Sequence, residues 1–188
     1  MLETPVVDSI SETSARPAPR LVSGLFPDRE SAEHAYQSIV DRGYSRSEVN
    51  VIMSDDTRKR YFSGTTSAET ELGSKAAEGA GIGGAIGGAL GAIGAALATV
   101  GTSIVIPGLG LVIAGPVVAA LAGAGAGGLA GGLVGALIGW GIPEERVKLY
   151  EAGVKNGGIL MSVRPRTEQD ALYLESQWKT QRGEHIYW

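Results

Sequence analysis

Strand and helix signals on both sides of a long uncharged tract predict an α+β sandwich interrupted by a pair of apolar helices. Two observations carry that expectation. The flanking segments, residues 20–62 and 142–188, alternate short apolar runs of strand length with amphipathic stretches of helical period. Between them, from Gly79 to Pro143, no residue is charged, and glycine recurs at every fourth position. The register is Gly79, Gly83, Gly87, Gly91 in the first half and Gly123, Gly127, Gly131, Gly135, Gly139 in the second.

The elements follow in order. Residues 1–19 are rich in Ser, Thr, Pro and acids without a period, and read as a disordered tail. Leu21 to Phe26 reads as a strand, and Asp28 caps a helix whose apolar face is Ala32, Ala35, Tyr36, Ile39 and Val40. Gly43 ends that helix, and Val49 to Met53 is a second strand, so the first unit is β-α-β. Residues 54–75 are polar and read as solvated linker, and the linker between domain and insertion is set at residues 63–75. Arg58, Lys59 and Arg60, followed by Tyr61 and Phe62, also suit an anchor at a lipid headgroup interface, as does Trp140.

Beyond the tract, Pro143 opens a helix with Glu144 and Glu145 in its first turn and Val147, Tyr150 and Val154 on its face. That helix ends at Gly157, and Gly158 to Val163 is a third strand. Thr167 caps a further helix carrying Ala171, Leu174 and Trp178 inward, Gly183 stops it, and Ile186 to Trp188 is the last strand. The pattern β-α-β, insertion, α-β-α-β fits a ferredoxin-like sandwich with its central connection replaced. Both ends of the insertion rejoin one sheet, so a hairpin keeps them on one side of any membrane.

The insertion, residues 76–141, reads as two helices, Ala76 to Val105 and Val112 to Trp140, around a turn at Pro107, Gly108 and Gly110. Residues four apart share one helix face, so each helix carries a stripe nearly free of side chains. Interior glycine costs a helix roughly 1 kcal/mol relative to alanine, and close helix-to-helix packing is the physical offset. Either helix has the length to cross roughly 30 Å of hydrocarbon. The turn is the most apolar part, with Ile104, Val105, Ile106, Leu109, Leu111, Val112 and Ile113, so its tip is expected to be buried.

The chemistry-bearing patterns are sparse. The net charge of −4 opposes nucleic-acid binding, and the absence of cysteine removes disulfides, thiol nucleophiles and thiolate metal sites. The first residues lack the basic and apolar regions of a signal peptide, so the two soluble halves are expected in the cytoplasm. Gly79-x-Gly81-x-x-Gly84 and Gly123-x-Gly125-x-x-Gly128 match a dinucleotide fingerprint as strings, but neither follows a strand. His34 and His185 are isolated, and the pairs Asp55-Asp56 and Glu144-Glu145 point apart in a helix or strand. No catalytic, cofactor-binding or metal-binding residues are assigned.

The runs LVSGLFPDRESAEHAYQSIVDRGYSRSEVNVI and GIPEERVKLYEAGVKNGGILMSVRP, bracketing a Gly/Ala tract, resemble the heat-induced, YflT-like family of bacterial general-stress proteins. The resemblance covers roughly residues 20–165, with Gly141 to Leu160 its most distinctive piece, and it implies induction under stress with no catalytic residues. The tract itself looks like the glycine-zipper segments of bacterial envelope proteins. Together these predict a non-enzymatic stress-response protein whose hairpin mediates association with the inner membrane and homo-oligomerisation, with no cofactor. The partners expected are a second copy and membrane lipid. A soluble ring or cage with the hairpins as its apolar interior, or a small-ligand regulatory module, are the alternatives.

Overall fold

The computed structural model describes residues 21–62, 93, 104–106, 110–116, 118, 132–139 and 142–188. Within these the elements are β1 (Val22–Phe26), α1 (Arg29–Asp41), β2 (Val49–Ser54), α2 (Asp55–Phe62), β3 (Ile104–Ile106), β4 (Leu111–Ala114), α3 (Gly132–Gly139), α4 (Glu144–Lys155), β5 (Ile159–Val163), α5 (Glu168–Thr180) and β6 (Glu184–Tyr187). The strands form one six-stranded sheet in the order β3-β4-β2-β5-β1-β6, every neighbouring pair antiparallel. β1 and β2 run the same way with β5 between them, so α1 is the crossover of a split β-α-β unit. The protein is therefore α+β. The expected tail 1–19, the linker 63–75 and most of the insertion lie outside the described residues.

Side-chain alternation sorts the sheet residues onto two faces. Ile159, Met161 and Val163 of β5 join Val22 and Phe26 of β1 and Val49, Val51 and Met53 of β2 on the face covered by α1 and α5. Leu160, Leu25 and Ile52 point the other way, under Val147, Tyr150 and Val154 of α4. Both faces are thus covered, which is why β1, β4 and β5 are buried along their whole lengths.

Local chemistry sets the helix ends. The Asp28 carboxylate accepts from Ser31 N at 2.8 Å, and the Thr167 hydroxyl accepts from Asp170 N at 3.1 Å, each satisfying a first-turn N–H. At the other end α1 closes with Gly43 at φ +85° and Tyr44 N returning to Ile39 O at 3.3 Å. α4 closes in the same way through Gly157 at φ +97° and Gly158 N to Val154's neighbour Gly153 O at 2.9 Å. α5 departs from the expectation that Gly183 supplies the left-handed stop. Arg182 takes it, at φ +63°, while Gly183 is needed for room: an added Cβ would stand 2.7 Å from Trp178 O.

Four further differences have physical causes. First, residues 55–62 are helical rather than linker: the Ser54 hydroxyl accepts from Thr57 N at 3.0 Å, and Asp55 pairs with Arg58 at 2.8 Å and Lys59 at 2.6 Å along the same helix face. Second, Ile104–Ile106 and Leu111–Ala114 are strands, not the inner ends of two long helices; they form a hairpin that pairs with β2 from Val51 to Ser54. The turn expected to join helices therefore joins strands, and Gly110, at φ +60°, is exposed while its carbonyl accepts Asp55 N at 2.7 Å. Third, the tract reaches both cores: Ile93 is helical and fully buried among the α1-side residues, and Val118 and Leu137 are buried on the α4 side.

Fourth, β6 begins two residues earlier than expected and is irregular. Between the pairs Ser23↔Tyr187 and Leu25↔Glu184 it holds one residue more than β1, and His185 sits at φ +52°. This bulge blunts an otherwise free edge.

A charged network pins the loop after α1 to the start of α5. Asp170, 12% exposed at its side chain, accepts from Arg42 Nε at 2.6 Å and from the Tyr44 hydroxyl at 2.9 Å. Burial works against the carboxylate's charge, but the hydrogen bonds from Arg42, Tyr44 and Thr167 outweigh it and hold the group below its ordinary 3.8. A lowered folded-state value stabilises the fold fully above the unfolded value and loses that stabilisation as the pH falls through the folded one. Asp170→Ala is therefore expected to cost about 2–3 kcal/mol at neutral pH. Urea denaturation should show the gap between variant and parent closing as the pH is taken down to about 2.

Candidate functional site

α3 is the described helix that carries the four-residue glycine register. Leu137 is buried and Val134 half-buried, both in the core beneath α4, while Gly135 and Ile138 lie on the adjoining stripe and face solvent. Ile138 is 43% exposed, and a Cβ added at Gly135 would meet no atom within 4 Å. The helix is anchored at its end by Ile142 N, which donates to Leu137 O at 3.1 Å just before α4 begins. The result is a bulky stripe turned into the domain and a glycine position turned out, held on a rigid base. Leu149 of α4, 44% exposed, adds a second apolar side chain to the outer surface of this helix pair.

Below α4 the sheet carries a buried polar row that the strand periodicity alone did not single out. Cross-strand register sets Ser23, Ser162 and Asn50 side by side on β1, β5 and β2, at 0%, 3% and 4% exposure. Asn50 Nδ2 donates to Ser162 Oγ at 3.3 Å, and the Tyr150 hydroxyl lies 3.0 Å from Ser23 Oγ while donating to His185 O at 2.6 Å. Such groups belong in a core only when paired. The row fixes the register of β1, β5 and β2 and ties α4 to the bulged strand β6, where Arg146 also lies over the Tyr187 ring at 5.3 Å. The signal in the sequence was a polar residue at an inward position of each of three strands.

Several ionisable groups are displaced from their ordinary values by burial and hydrogen bonding. Burial pushes the Tyr36 hydroxyl up to about 12, and burial likewise raises Tyr150 and Tyr44. Hydrogen bonds from Ser45 and then Arg166 lower Glu48, and hydrogen bonds from Lys179 and Trp188 lower Glu175. Among the described residues no cluster of three His, Asp or Glu side chains is placed to hold a metal ion. A cleft of about 530 Å³ opens at the start of α1, lined by Asp28, Arg29, Glu30 and Tyr61. Two of its charges are engaged within the fold: Asp28 with Arg182 at 2.7 Å, and Arg29 Nη1 with Tyr61 O at 2.9 Å.

The positions singled out from the sequence are distributed unevenly. Gly79, Gly83, Gly87, Gly91, Gly123, Gly127 and Gly131, with Pro107, Gly108 and Trp140, lie outside the described residues. Gly135 and Gly139 are on α3, and Gly110 is in the β3–β4 turn. Arg58 and Lys59 share the Asp55 carboxylate, and Arg60 lies over the Tyr61 ring at 6.0 Å, so the basic triplet is part of α2. His34 is exposed on α1, and His185 is exposed on β6 with its carbonyl, not its ring, engaged by Tyr150. No described helix is long and apolar enough to cross a membrane. No family model, curated protein or solved structure matches the chain.

Proposed function

We propose that this protein is a non-enzymatic, self-associating protein of the bacterial stress-response type, in which glycine rows of the uncharged tract pack against those of a second copy. The observation that carries the reading is the orientation of α3: Val134 and Leu137 turn into the domain and leave Gly135 and Ile138 outside. A helix bearing glycine outward gives up stability unless another backbone approaches it closely. The strand order β2-β5-β1-β6, with α1 and α5 on one face, supports reading the domain as ferredoxin-like, extended at one edge by β3–β4 and covered on its second face by α4. The buried or nearly buried carboxylates Glu33 and Asp170 are paired with Arg29 and Arg42 and hold elements of the domain together, which supports a structural role. The resemblance of Gly141 to Leu160 to heat-induced, YflT-like proteins supplies the stress assignment.

Gly135→Leu tests the reading cleanly, because open space around Gly135 lets the isolated chain accept the side chain. Overpacking a helix contact costs about 1–3 kcal/mol, so self-association is expected to weaken about ten- to hundredfold by sedimentation. The α+β domain should melt no lower than the parent, because leucine at an open helical glycine position adds about 1 kcal/mol of helix stability. An oligomer of the same size and affinity in the variant sinks the reading.

Association with membrane lipid is the second reading, favoured by the lack of any charge from Gly79 to Pro143. It is separated from the first by flotation with anionic vesicles: lipid-bound protein rises with them and resists salt, and a soluble oligomer stays below.

A further inference from the structure

α4 turns one side to the sheet and the other to solvent. Val147, Tyr150 and Val154 are fully buried, whereas Glu145, Lys148, Leu149 and Ala152 are exposed. Leu149 is one of three large apolar side chains exposed among the described residues. Along the same outer side runs a charged row with a fixed order of signs. Glu144, Lys148, Glu151 and Lys155 follow at intervals of four, three and four residues, so they share one stripe of the helix. Within the chain Lys148 Nζ meets Glu144 at 2.9 Å and Lys155 Nζ meets Glu151 at 2.7 Å. The two lysine side chains are 68% and 66% exposed, and ion pairs so open to water contribute little by themselves.

The spacing of the row is the same read from either end, and its signs reverse. A second α4 laid antiparallel, with the twofold axis level with the Leu149–Tyr150 peptide, therefore sets every acid of the row beside a base. Lys148 comes level with Glu151 of the other copy, Glu144 comes level with Lys155 of the other copy, and the twofold repeats both contacts. A parallel partner in register would set like charge against like. On the opposite flank of the same contact Leu149 meets its own counterpart near the axis. Ala152, between the two flanks, is small enough to let the helices approach closely.

We propose that the outer face of α4 is a contact between copies, formed by antiparallel pairing of two α4 helices around Leu149. The face is self-complementary, as a twofold contact requires. Its charges set the orientation of the pair, and Leu149 supplies the apolar contact. The inference rests on the self-association reading above in needing a second copy, and it names a surface of the α+β domain apart from the glycine rows.

The test uses the full chain as parent, Lys148→Glu, Glu151→Lys and Leu149→Ser, with Gly135→Leu run alongside. Sedimentation at low salt reads association, and circular dichroism checks that each variant keeps the parent's helix content. Lys148→Glu sets two acids together at each Lys148–Glu151 contact and Glu151→Lys sets two bases, so each alone is expected to weaken association about tenfold. Leu149→Ser, which removes the apolar contact, is expected to weaken it by about the same factor. An equal mixture of Lys148→Glu and Glu151→Lys restores an acid–base pair at both contacts and should return the affinity to within about threefold of the parent's. Mixing repairs nothing within either chain's own helix, so recovery reads pairing between copies and not helix stability. Single variants that mixing fails to restore overturn the antiparallel contact. Parent-like association in all three α4 variants, with Gly135→Leu weakened, overturns the α4 contact and leaves the glycine reading standing. The reverse pattern, with recovery on mixing, supports the α4 contact and removes the glycine one. A parent that stays monomeric at every concentration overturns both.

Discussion

Replacing Trp178 by alanine should destabilise the domain by about 3–5 kcal/mol, the range for removing a fully buried aromatic side chain. Trp178 is 0% exposed and stands edge-on to Phe26, with ring centroids 5.4 Å apart at 83°. It presses on β1 where the strand has no side chain: a Cβ at Gly24 would lie 2.9 Å from Trp178 Cε3. Its indole Nε1 donates to Ala35 O at 3.3 Å, so one residue of α5 touches both β1 and α1. That hydrogen bond matters less than the volume, because Ala35 O also accepts from the Ser38 hydroxyl at 2.7 Å and stays satisfied. Trp178→Phe should therefore recover much of the loss, since it restores an aromatic contact with Phe26. Denaturant unfolding followed by far-ultraviolet circular dichroism checks both variants. A midpoint for Trp178→Ala within about 1 kcal/mol of the parent means that the α1–α5 face is not the main core.

The local signals were legible where chemistry acts over one or two turns. Asp28 and Thr167 as caps, Gly43 and Gly157 as stops, and the apolar faces of α1, α4 and α5 all stand where the residue types place them. What could not be read was decided by partners distant in sequence. Ile104–Ile106 and Leu111–Ala114 are short apolar runs around a Pro-Gly break, a pattern that suits a strand hairpin as well as two helix ends. The edge of β2 decides between them by pairing with β4 from Leu111 to Ala114.

α2 was hidden by its polarity, since its helical support is the ion pairs within Asp55, Arg58 and Lys59 rather than an apolar stripe. Nor does residue type reveal that Glu33, one acid among several on α1, is the one withdrawn from solvent to meet Ile93 N. The candidate surface was legible as a register, but which side of α3 turns outward depends on how Val134 and Leu137 meet the core beneath α4.

Gly153→Val should cost about 3 kcal/mol, near the upper end for overpacking, although glycine inside a helix is replaced with a gain of about 1 kcal/mol where space allows. Space does not allow it here. A Cβ at Gly153 would fall on Leu25 Cδ2, with Leu25 Cδ1 at 3.0 Å and Cγ at 3.1 Å. Leu25 cannot withdraw freely, being 5% exposed in the core between α4 and the sheet, with Gly158 so near that a Cβ added there would stand 3.1 Å from Leu25 Cδ1. The backbone is also committed, because Gly153 O accepts Gly158 N at 2.9 Å in the turn that leads into β5. α4 must then lift from β1, and the Tyr150 hydroxyl is drawn off Ser23 and His185 O. Loosened β6 gives this variant a signature that simple loss of stability lacks: amide exchange in Glu184–Tyr187 should rise well below the unfolding transition. Because α3 runs through Ile142 into α4, the outward presentation of Gly135 depends on the same contact. Gly153→Val should thus weaken self-association together with stability, whereas Gly135→Leu weakens association alone. Stability equal to the parent in Gly153→Val would place the contact between α4 and β1 elsewhere than at Leu25.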